Sequence, residues 1–208
     1  MAYDLEEQEQ LDAFKTWWKA NGNMVITAAG VAVVSFLAVQ GWKYYQHNQA
    51  AQASAQYQTL IQTDAKEIKV VRALSAELMD KYASTPYAGR AAVYAAKANY
   101  AAKDSKSAAA QLAWAEKNAK EDSVKAIAQL QLAAIQLDEK NYDEALKTLA
   151  EKHDGGFDGL FADLKGDVLV AQGKRADAKL AYQEALGKLD AQGRYFHFVE
   201  HKLEALGS

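Results

Sequence analysis

The chain has 208 residues, a quarter of them charged and half apolar, with a formal net charge of -3. That length holds one ordinary globular domain plus an appendage and excludes a large multi-domain enzyme. The acidic balance and the absence of any Lys/Arg run exclude the electrostatic footprint of a nucleic-acid binder.

Zero cysteines exclude disulfides, thiolate catalysis, zinc–thiolate sites and a lipidated N-terminal cysteine, and they leave the compartment open. A single proline, Pro86, and a composition rich in Ala, Leu, Lys, Gln and Glu predict an almost wholly helical, all-α chain.

The first segment is a short acidic leader carrying Asp4, Glu6, Glu7, Glu9 and Asp12. It runs into GNMVITAAGVAVVSFLAVQGW (22–42), part of an uncharged stretch from Ala20 to Trp42. A spanning helix needs about 20 such residues. Trp17 and Trp18 precede the stretch, and Trp42, Tyr44 and Tyr45 follow it. From Trp18 to Trp42 a helix covers roughly 36 Å, about the separation of the two interfacial aromatic belts.

Two rival readings fit less well. A cleaved signal needs a basic n-region and a small-residue cleavage site, whereas this leader is acidic and Val39-Gln40-Gly41 offers no such site. A core helix apolar all round would need more covering surface than the amphipathic remainder supplies. Lys15 and Lys19 lie before the span and only Lys43 follows it before Lys66, which orients the N-terminus to the cytoplasm and the larger domain to the far side. Ala28, Ala32 and Ser35 fall at i, i+4 and i+7, a stripe suited to close approach by another transmembrane helix.

Beyond the span, no Pro or Gly interrupts Lys43 to Gln62, so the helix continues before a turn near Thr63-Asp64. A second helix over Lys66 to Tyr82 follows, with Ile68, Val71, Leu74, Leu78 and Met79 at helical spacing, and Ser84-Thr85-Pro86 restarts the chain. After Pro86 the sequence repeats itself. Ala133, Lys140, Ala145 and Leu149 match Gly166, Gly173, Ala178 and Tyr182, with Ala185 completing the last unit, and Ala96, Lys103, Ala108, Leu112 and Ala115 fit the same ruler. Small residues belong where the two helices of a pair cross; a turn lies between them.

The spacing resembles the tetratricopeptide repeat, whose pattern GDVLVAQGKRADAKLAYQEAL (166–186) meets almost completely; in the other units Lys103 and Lys140 stand where the turn glycine belongs. Such pairs stack because none buries its apolar face alone. The expected organisation is an acidic cytoplasmic tail over 1–20, a transmembrane helix over 21–42, and a helical stalk with a first helix pair over 43–83. Three tetratricopeptide-like pairs over 84–193 and a C-terminal capping helix over 194–208 complete it. Tyr195, Val199, Leu203 and Leu206 are expected on one side of that last helix.

Two patterns suggest chemistry and fail on inspection. HFVEH (197–201) matches a zinc-protease pattern, with His197 and His201 as ligands and Glu200 as base, but only Glu204 remains as a downstream carboxylate. DGGFDG (154–159) hints at a calcium loop, yet Gly156 and Lys165 stand where carboxylates are required, so it reads as an interhelix turn. No catalytic residue, cofactor or metal is expected.

In helix-pair repeats the first helix of each pair lines a concave face. Applied here, the ruler selects Arg90, Val93, Lys97 and Tyr100, then Ile127, Leu130, Ala134 and Leu137, then Leu160, Asp163, Asp167 and Val170. The expected groove is apolar at its centre, basic at one end and acidic at the other, and suits a helix or extended segment with an apolar face.

Taken in order, the aromatic pair of FKTWWKANG (14–22), the span closing on GWKYYQ (41–46), EALKTL (144–149) and DLKGDVLVAQGK (163–174) resemble the YfgM-type family, ancillary subunits of the bacterial Sec translocon. The resemblance implies a single-pass inner-membrane protein with its N-terminus inside and its repeats in the periplasm. It implies as partners the Sec translocon, a membrane-anchored prolyl-isomerase-like chaperone, and nascent or unfolded envelope proteins. Spacing alone indicates an anchored scaffold, for which an adaptor in another envelope assembly process is the alternative.

Overall fold

A computed structural model describes residues 2–207, and among them no strand occurs. Nine α-helices follow in order among the described residues: α1 Ala2–Gln62, α2 Ile68–Lys81, α3 Pro86–Ala101, α4 Ser105–Asn118, α5 Asp122–Asp138, α6 Tyr142–Ala150, α7 Asp158–Ala171, α8 Arg175–Lys188 and α9 Arg194–Ala205. The chain divides into one unit ending at Asn48 and another beginning at Gln49.

The first unit is helical from Ala2, so the acidic leader and the apolar stretch share one helix. Only 6% of the most apolar part of that helix is buried, which no core helix would tolerate. Thr27 donates its hydroxyl to the Asn23 carbonyl at 2.7 Å, so this polar group of the apolar stretch is satisfied within the helix. Phe14 stacks on Trp17 and on Trp18, which are tilted against each other, before the apolar stretch, and Trp42 contacts Tyr45 after it. Ala28, Ala32 and Ser35 are all exposed.

In the second unit the last turns of α1 pack on α2: Ala53 and Leu60 join Val71, Leu78 and Tyr82 in one cluster with Ala91, Ala95 and Ala98 of α3. The remaining helices form the pairs α3/α4, α5/α6 and α7/α8, closed by α9. The repeat positions carry the packing. Ala96, Ala108, Leu112 and Ala115, then Ala133, Ala145 and Leu149, then Ala178, Tyr182 and Ala185 are buried. Gly166 is buried too, and the Tyr182 ring lies where its Cβ would be. Two of the pairs are also cross-bonded at equivalent positions: Asn99 donates to Gln111 at 2.7 Å across α3/α4, and Thr148 donates to Gln136 at 2.9 Å across α5/α6.

The three turns inside the pairs are the same turn. Lys103, Lys140 and Gly173 take φ of 65°, 63° and 77°. In each, the residue after it donates its N–H back five residues, Asp104 to Asn99, Asn141 to Gln136 and Lys174 to Leu169, the bond of a Schellman cap. A side chain in that left-handed region costs about 1–2 kcal/mol. Glycine gives back about 0.5–1 kcal/mol of that to the greater freedom of the unfolded chain, so Lys103→Gly and Lys140→Gly should each raise Tm by about 2–4 °C. Thermal circular dichroism of the full chain in detergent checks this, and an unchanged or lower Tm would mean the lysine side chains repay the strain through contacts.

The sequence DGGFDG forms a short 3₁₀ turn, Gly155–Phe157, with Asp154 accepting from the Gly156 N–H at 2.9 Å. It joins α6 to α7.

Candidate functional site

The odd-numbered helices of the second unit line a shared face containing three clefts. The first, about 270 Å³, lies between the end of α1, α3 and α5, and Arg90, Val93, Lys97 and Ile127 line it together with Tyr57, Tyr94, Val124 and Gln131. The second, about 330 Å³, is lined by Lys97, Tyr100 and Ala134 with Ala96, Leu112, Gln131, Ile135 and Asp138. Lys97 and Gln131 belong to both. The third, about 440 Å³, takes Leu130, Leu160, Asp163 and Asp167, with Leu164 and three residues of α9: Tyr195, Phe198 and Lys202.

Two of the twelve residues selected by the ruler line none of these clefts: Leu137 packs into the core beside Ala145 and Leu149, and Val170 is exposed. Sequence reasoning did not place Tyr57, Tyr94, Val124, Gln131, Ile135, Asp138, Leu164, Tyr195, Phe198 or Lys202 on this face. Most of these belong to α1 or α9, outside the three repeat units, or to a neighbouring turn of a helix the ruler sampled at other positions.

The electrostatics of the face differ from the sequence expectation at its acidic end. Asp163, only 2% exposed, accepts from Lys202 Nζ at 2.9 Å through both carboxylate oxygens and from the Tyr195 hydroxyl at 2.6 Å. Asp167 accepts from Lys202 at 2.7 Å and from the Tyr182 hydroxyl at 2.7 Å. The two aspartates are thus the socket for the capping helix; one cation from α9 serves both. Burial, reinforced by these aspartates, pushes both the Tyr182 and Tyr195 phenols up, so they stay protonated donors.

At the other end, Arg90 makes a bidentate pair with Glu121, at 2.7 Å from Nε and 2.6 Å from Nη2. Tyr100 donates its hydroxyl to Asp138, and that bond raises the phenol's pKa. Lys97, exposed between the two apolar clefts, makes no ion pair or hydrogen bond among the described residues.

On α9, Val199 is buried and Leu203 and Leu206 pack beside it against α7 and α8, while Tyr195 is 42% exposed at the third cleft. His197 and His201 face outward, each near the carboxylate three residues on, Glu200 and Glu204, at 3.2 and 3.3 Å. Among the described residues, no group of three or more His, Asp or Glu side chains is placed to hold a metal ion.

Comparison with known proteins places this arrangement. The model of a tetratricopeptide repeat-like domain family matches residues 15–208. A Haemophilus influenzae protein named ancillary SecYEG translocon subunit is 34% identical over 188 residues, covering 89% of this chain and 91% of that protein. Proteins of the same name from Neisseria gonorrhoeae and Escherichia coli are 32% and 30% identical, over 99% and 96% of this chain and 100% and 96% of their own lengths. With an all-helical repeat array behind one long apolar helix, and matches that run through both, the chain belongs to this family of tetratricopeptide repeat-like ancillary translocon subunits.

Proposed function

We propose that the chain is an ancillary subunit of the SecYEG translocon, a membrane-anchored interaction scaffold rather than an enzyme. In this reading residues 1–20 face the cytoplasm, 21–42 cross the inner membrane, and the repeats stand in the periplasm. There they work beside a membrane-anchored prolyl-isomerase-like chaperone and receive translocated proteins before these fold.

The observation that carries the reading is a pair of unpartnered apolar surfaces in one chain. One is the exposed stretch of α1, which only lipid or another membrane helix would cover. The other is the cleft-bearing face of the repeats, where Val93, Tyr94, Ile127 and Ala134 are only partly covered. The names of the relatives supply the translocon as the assembly, and the two lysines before the span against the one after it supply the orientation.

Photo-crosslinking from Ala32 in the span and Val93 in the cleft tests it in cells. The Ala32 probe is expected to capture a SecYEG subunit, and the Val93 probe a translocating chain or the chaperone. If neither probe captures any translocon component, chaperone or translocating chain, the reading fails in favour of an adaptor for another envelope assembly. Protease added to spheroplasts should degrade the repeats; protection would place them in the cytoplasm instead.

A further inference from the structure

The first two clefts, neighbours along α3 and α5, have apolar walls, and the boundary between them is polar. Lys97 and Gln131 line both clefts and so form the ridge that separates them. Every other charge on these two clefts is already engaged: Arg90 by Glu121, and Asp138 by Tyr100. Lys97 has no partner among the described residues, and Gln131 offers an unengaged amide that can donate and accept at once.

We infer that these clefts hold an extended polypeptide segment with two apolar side chains separated by a carboxylate, the carboxylate seated on Lys97. The inference rests on the reading of this face as the partner-binding surface and names the chemistry it selects. Charge complementarity fixes the sign of the central group, because an apolar residue there would leave a desolvated ammonium without a partner. Gln131 fixes the backbone state. A helix has already satisfied its own N–H and C=O groups, whereas an extended chain presents both to a side-chain amide. In an extended chain residues i, i+2 and i+4 share one side, so an apolar–carboxylate–apolar triplet spans about 13 Å along the groove.

Fluorescence anisotropy on the full-length chain in detergent tests this, with a labelled peptide containing Leu-Ser-Asp-Ser-Leu and a twin carrying Lys in place of Asp. The native protein should bind the Asp peptide about tenfold more tightly than the Lys twin, and Lys97→Glu should invert that preference. Lys97 is exposed, so the variant should fold; an unchanged thermal melt verifies that, and Lys97→Gln should abolish the preference without reversing it. Equal binding of both peptides, an unaltered preference in Lys97→Glu, or tighter binding of a helix-locked version of the Asp peptide would overturn the inference. Capture of translocating chains from Val93 alongside such an outcome would leave the scaffold reading standing and remove only the selectivity.

Discussion

Lys202→Met is expected to lower the stability of the repeat unit by about 3–5 kcal/mol. Methionine keeps a side chain of similar length but removes the ammonium that lies over the Tyr182 and Phe198 rings and that is, among the described residues, the only cation bonded to Asp163 and Asp167. Asp163 is 2% exposed, so its charge has no water to fall back on. The lysine's own side chain is 20% exposed, which favours the lower half of that range through solvent screening. Chemical denaturation of the full chain in detergent measures the loss, and adding Asp163→Asn to the variant should recover part of it. A loss under about 1 kcal/mol would show that the triad behaves as an ordinary surface ion pair.

Gly166→Ala is expected to cost about 1–3 kcal/mol through overpacking. An added Cβ would lie 2.3 Å from Tyr182 Cε1 and 2.5 Å from Cδ1. The ring has little freedom to retreat: it is 3% exposed, and its hydroxyl is held by Asp167 at 2.7 Å. Gly187→Ala is the matched comparison, since it lies on α8 with nothing within 4 Å of the new atom. There the substitution should gain about 0.5–1 kcal/mol from reduced backbone freedom in the unfolded chain. Equal effects at the two positions in thermal denaturation would mean the α7/α8 pair spreads to admit the methyl group.

The helix pairs were legible in the sequence because close approach of two backbones leaves no alternative to small residues. Ala96, Ala108 and Ala115 of α3/α4 recur at fixed offsets as Ala133 and Ala145, then as Gly166, Ala178 and Ala185, all of them buried. The turns were legible with their exceptions, since Lys103 and Lys140 hold the left-handed conformation of Gly173 despite their side chains.

The cleft-bearing face was legible only in part. A ruler set on each repeat samples one helix at a time, whereas each cleft is walled by three. Tyr57 comes from the end of the anchor helix, and Lys202 neutralises Asp163 across 39 residues of sequence, a pairing that no local pattern encodes. The expected acidic end of the groove therefore turned into the attachment of α9. Lys97 gained its interest by the reverse route: only the structure shows that its neighbours are spoken for.

Alanine fills most of the buried positions from Ala88 to Ala98 on α3 and recurs through every later pair. Side chains so short give up almost no rotamer freedom on folding, and shortening them further leaves little void. Sensitivity to mutation is consequently inverted at these positions. Most core sites are hurt by losing atoms; an alanine seam between two helices is hurt by gaining them, because a longer side chain there holds the helices apart.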